Sequence, residues 1–212
     1  MITEPMTLTT DYILALANGV FGSVLLHSNN RSRRLWAFGF IALAISAFTG
    51  GTYHGFTSLL GAGLSAVLWR ITLVAIGTAS FLLLLAVVEL YTAGKLRTGL
   101  RIFAAAKYVA YMALIASHDE YRFAIYDTGA TLGATVLLSL AAIGLWHHSA
   151  AKWLLGGVAV SLIAAAAQSS GLTLHRHFNH NDLYHVIQLM GMYLLYRGGL
   201  LFGDGIGAGD VN

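Results

Sequence analysis

Residues 35–59 read LWAFGFIALAISAFTGGTYHGFTSL, directly after the polar octet HSNNRSRR at 27–34, and contain no Asp, Glu, Lys or Arg. A helix needs about 20 mostly apolar residues to cross roughly 30 Å of hydrocarbon, so this stretch reads as a membrane span. The same reading repeats along the chain and predicts helices at 10–27, 35–59, 64–91, 99–117, 122–146, 152–172 and 181–202. The breaks between them are short and polar: HSNNRSRR, TSLLGAG (57–63), TAGKLRTG (92–99), SHDEYR (117–122), HHSAAK (147–152) and HRHFNHND (175–182). The expectation is an all-α, multi-pass membrane protein: a single domain of seven transmembrane helices over 1–202, then a flexible Gly-rich tail at 203–212. No interdomain linker or tandem repeat of fixed period stands out.

Composition points the same way. Of 212 residues, 57% are hydrophobic and 10% charged, whereas soluble domains carry roughly 25% charged residues. The formal charge of +3 resides in short loops between apolar runs, the pattern of a membrane protein and not of a nucleic-acid binder. The absence of cysteine excludes disulfides, thiolate metal sites and cysteine nucleophiles. Alternate breaks hold Arg31, Arg33, Arg34, Lys95, Arg97, Arg101 and Lys152, and the others only Arg122 and Arg176. The positive-inside bias therefore predicts an external N-terminus and a cytoplasmic C-terminus, in a bacterial inner membrane or a eukaryotic endomembrane.

With that topology, polar residues far apart in sequence share the outer side. They are His54 near the end of the second helix, Arg70 in the third, Asp127 in the fifth, and His180, Asn181, Asp182, His185 and Gln188 opening the seventh. Loop residues His118, His175 and His177 join them, and Asp11 with Thr10 is expected to cap the first helix. Asn181, His185, Gln188 and Met192 step by four, three and four, one stripe of a helix. Ionisable groups in a membrane usually face a bundle interior or a water-filled cavity. Without cysteine, histidine and carboxylate are the ligands zinc takes. Arg70 is read as a counter-ion to Asp127 or Asp182, Asn18 as bonding across helices, and Glu89 and Lys107 as a structural ion pair or snorkelling groups.

At His54 and His185 (in LYHVIQ) the chain resembles the alkaline ceramidase and adiponectin/progestin receptor superfamily. Its pattern is seven spans, Ser and His one turn apart on helix two, Asp on helix three, and His-x-x-x-His on helix seven. The resemblance implies a zinc-dependent hydrolase acting on a lipid amide or ester. His54 and His185 match two zinc ligands. The third position falls on Asn181, with Asp182 or His180 as substitutes. Asp127 would handle protons, and Asn181, Gln188 or Arg70 would hold substrate or orient ligands. The Ser position falls on Gly50, and helix three has no Asp. The alternatives are a non-catalytic receptor or sensor of the same fold, a transporter, and a haem protein using His54 and His185. Membrane lipids are the expected partners; the oligomeric state is left open.

Overall fold

The computed structural model describes residues 2–146, 148–175 and 178–203; for Trp146 it describes the backbone alone. His147, Arg176, His177 and tail residues 204–212, all part of the sequence reading, lie outside the described residues. Within them the chain is helical throughout: α1 (Pro5–Leu26), α2 (Arg31–Tyr91), α3 (Gly94–Ser117), α4 (Tyr121–Trp146), α5 (Ser149–Ser169) and α6 (His180–Leu200).

Local chemistry sets the boundaries. Pro5 occupies the first turn of α1, where its missing N–H costs nothing, so the helix starts a turn before the apolar run. The Asn30 side chain caps α2 by accepting from the Arg33 N–H at 3.0 Å. Asn179 and Asp182 form a reciprocal capping box at α6. Asp11 does not cap α1; it lies in the second turn, facing inward.

The break predicted at 57–63 is there, but it is a single-residue turn and not a loop. One residue, Gly61, leaves the helical region with φ 73°, a left-handed value that glycine adopts at little cost. Around it the chain folds back. Thr57 Oγ1 bonds Ser65 Oγ at 3.1 Å, Thr49 Oγ1 bonds Thr72 Oγ1 at 2.8 Å, and a Cβ on Gly39 would press into Leu83. Each pair is nearly equidistant from residue 61, so 31–60 and 62–91 are two antiparallel arms. Both exceed the roughly 20 residues that a crossing needs.

Small residues let the rods approach. Gly51 and Gly55 of the first arm receive Asp11 and Leu8 of α1, and Gly157 and Gly191 bring α5 against α6. Leu25, Trp36, Phe40, Leu154, Val158 and Phe202 are fully enclosed at one end of the bundle. The exterior is apolar as well: Leu16, Val109 and Leu137 are 71%, 66% and 71% exposed. Helices α1 to α5 are long and apolar enough to cross a membrane. Helix α6 is less apolar because it carries His180, Asn181, Asp182, His185, Gln188 and Arg197.

Candidate functional site

The start of α1, the Gly61 turn, the start of α4 and the start of α6 meet at one end of the bundle. There α6 lies between α1 and α5, and its polar residues divide between those neighbours. Asn181 Oδ1 accepts from Gln168 Nε2 at 3.1 Å, and Gln188 Nε2 donates to Ser161 Oγ at 3.1 Å, so both face α5. His185 and Asp182 face α1. The stripe predicted from spacing is therefore split, because a helix wedged between two others shows each of them a different edge.

Asp182 is fully committed to holding the fold. Its Oδ1 accepts from Thr7 Oγ1 at 3.0 Å and its Oδ2 from the Asn179 backbone N–H at 2.8 Å. His185 meets a different acid, for Nε2 lies 3.2 Å from Asp11 Oδ1, and both side chains are about nine-tenths buried. On the other side of the ring, Nδ1 is 2.9 Å from Thr10 Oγ1, which also lies 3.1 Å from the Met6 and Thr7 carbonyls.

A hydroxyl has one hydrogen, and inside a helix threonine gives it to a carbonyl one turn back. Thr10 Oγ1 then accepts from His185 Nδ1–H, an assignment that follows from the hydrogen-bond network. Nε2 is left presenting a lone pair to a carboxylate oxygen, and such a contact needs a cation between the two atoms. A proton suffices. A metal suffices as well: ligand bonds of about 2.0–2.1 Å at a tetrahedral ion put neighbouring donors about 3.3 Å apart.

His54, on the first arm, lies within electrostatic range of His185, and its Nδ1 is 3.6 Å from Glu4 Oε2. Among the described residues no three of His, Asp or Glu gather closely enough to hold a metal. Two donors, Asp11 and His185, are spaced as one metal ion would hold them, and His54 is not gathered with them. Asp182 faces Thr7 and the Asn179 backbone, each of its oxygens accepting one hydrogen bond. His180 opens α6 and His118 caps α3, where Nδ1 bonds Ser117 Oγ at 2.9 Å.

Aromatic rings surround the pair. The Tyr184 ring packs 5.2 Å from His185, and Trp69 bridges Tyr121 and Tyr53 at 6.1 and 5.1 Å. Thr3 closes the end of the bundle, donating its N–H to the Gly55 carbonyl at 3.0 Å and its hydroxyl to Ser58 at 3.2 Å.

Two residues expected at this site are engaged elsewhere. Arg70 pairs with Asp119 at 3.2 Å on the surface, not with Asp127 or Asp182. Asp127 pairs with Lys107 of α3 at 2.5 Å, and Lys107 Nζ also donates to Ser80 Oγ at 3.0 Å. Asn18 bonds within its own helix, to the Leu14 carbonyl at 2.9 Å. Sequence reasoning missed Asp11, Thr10 and Glu4 as site residues. The signal was Pro5, which marks α1 as starting early enough to turn Asp11 inward.

Fold and site together define an all-helical bundle with an apolar exterior and a buried His–Asp pair at one end. The chain belongs to DUF6962, a family of unknown function whose profile matches residues 6–204. No curated protein and no solved structure matches it.

Proposed function

We propose that this chain is a seven-span membrane protein, N-terminus outside and C-terminus cytoplasmic, acting as a metal-dependent hydrolase of a lipid amide or ester. The observation that carries the reading is the buried 3.2 Å approach of His185 Nε2 to Asp11 Oδ1. His185 and Asp11 would hold the ion, most simply zinc, and His54 would have to move in to serve as a third ligand. Bound there, the metal would supply Lewis acidity toward a carbonyl and toward water. Thr10 fixes the His185 tautomer and ring plane, as outer partners of metal-ligating histidines do. Glu4 sits at the more open mouth beside His54 and is the acid placed to exchange protons with water. Asp127, committed to Lys107, leaves that role. Tyr53, Trp69, Tyr121 and Tyr184 give the apolar wall that a lipid chain needs.

The charge distribution supports the orientation. Arg31, Arg33, Arg34, Lys95, Arg97, Arg101, Lys152 and Arg197 belong to the end opposite the His–Asp pair, where Glu89 is the one acid among the described residues. Such a bias marks a cytoplasmic face. The protein has no cysteine, so Asn29→Cys and Ser117→Cys each provide a unique label. An impermeant thiol reagent on intact cells should label position 117 and spare position 29; the reverse pattern overturns the orientation.

Zinc content tests the chemistry. Protein purified without chelator or polyhistidine tag should carry one zinc per chain, lost in His185→Ala and Asp11→Ala and retained in His118→Ala and His177→Ala. Thr10→Val should weaken zinc binding by about 10- to 100-fold. Asp182→Asn should lower stability yet keep the metal. A parent protein without zinc, and without thermal stabilisation by added zinc, would sink the hydrolase reading. A non-catalytic receptor or sensor of the same fold is then the reading that stands.

A further inference from the structure

At the opposite end of the bundle one carboxylate is outnumbered. Glu89, near the end of α2, has a side chain only 6% exposed and faces three guanidinium groups. Arg101 contacts Oε1 through both Nε and Nη2 at 2.5 Å. Arg97 approaches Oε2 at 3.9 Å while its Nε donates to the Thr92 carbonyl at 2.5 Å and its Nη2 to the Glu89 carbonyl at 3.4 Å. Arg31, from the start of α2, reaches Oε1 at 4.0 Å, beyond hydrogen-bond distance, and is 73% exposed. Three cations from two helices thus share one anion, and the excess positive charge faces outward.

Three guanidiniums offer about fifteen N–H donors, and Glu89 with the two carbonyls occupies few of them. Structural needs explain one Arg on Glu89, not three. A planar fork of donors is the geometry that binds phosphate oxygens two at a time. Helix ends at this level lie where lipid headgroups begin, if the bundle spans a bilayer. We propose that Arg31, Arg97 and Arg101, gathered by Glu89, form a binding site for a phosphate ester, supplied by an anionic phospholipid headgroup in the leaflet at this end. The buried carboxylate acts as an anchor that draws the three arginines together before the lipid arrives, so less side-chain entropy is lost on binding. The site is independent of the metal reading at the other end.

The test is thermal unfolding of the full chain in a neutral detergent. Phosphatidylglycerol or phosphatidic acid should raise the midpoint by about 5 °C at saturating lipid. Phosphatidylcholine and millimolar inorganic phosphate should not. Arg31→Gln leaves the Arg101–Glu89 contact in place and should fold normally; together with Arg97→Gln it should abolish most of the shift. Native mass spectrometry on the same pair of variants should show loss of bound phosphatidylglycerol. An equal shift with inorganic phosphate would mean that the free ion is the ligand and overturn the lipid source. An Arg31→Gln/Arg97→Gln protein that responds like the parent would overturn the site itself.

Discussion

Replacing Lys107 with methionine is expected to cost about 3–5 kcal/mol of stability, the range found when one member of a buried ion pair is removed. The Lys107 and Asp127 side chains are 11% and 4% exposed, in contact at 2.5 Å between α3 and α4. Asp127 Oδ2 is buried and has no hydrogen-bond partner among the described residues. Without Lys107 the carboxylate would lose its one side-chain partner among the described residues and stay buried without compensation. The double variant Lys107→Met/Asp127→Leu should recover much of the loss, because an apolar pair of similar volume needs no solvation. Thermal unfolding in detergent reads both. A Lys107→Met protein as stable as the parent would show that water reaches the pair.

Gly51→Val should be the most damaging single substitution near the His–Asp pair. A Cβ at position 51 would lie 2.7 Å from the Asp11 Cβ and 3.2 Å from the Tyr12 ring. An atom so close to the α1 backbone cannot swing aside, so α1 must move as a rod. Overpacking of this kind typically costs 1–3 kcal/mol, and here it also pulls Asp11 away from His185. The expected result is a lower unfolding midpoint, together with loss of zinc from the proposed site. Gly63→Ala is the matching control, since no atom lies within 4 Å of a Cβ there; it should be neutral or slightly stabilising. If Gly51→Val retains the metal, Asp11 is not a ligand.

Much of the helical frame was legible because apolar length is a strong signal, and the polar breaks fell close to the helix ends. The reversal between the second and third spans was legible in the break at 57–63; that one glycine carries it was not. Residues 57–63 read as a loop from their composition, yet a single left-handed glycine reverses the chain while helix continues on both sides. In the site, His54 and His185 stood out as ionisable groups in apolar surroundings. Their partners did not, since spacing along one helix says nothing about which neighbour it meets. Asp182, three residues from His185, was the natural partner by sequence. The fold instead turns it to Thr7 and gives His185 to Asp11, from the far end of the chain. Arg70 and Lys107 show the same limit: both charges were visible, and only packing determines that Lys107, not Arg70, answers Asp127.

The tie between Thr3 and the Gly55 carbonyl has a practical side. It lays the amino-terminal residues across the mouth formed by Glu4 and His54, so a purification handle joined ahead of Met1 would hang over those two side chains. A polyhistidine handle there could offer its own imidazoles to any zinc and return one ion per chain from a protein that binds none. Joined after Asn212, the handle would follow a chain that has already run along α6 to the opposite end of the bundle at Phe202, away from His185.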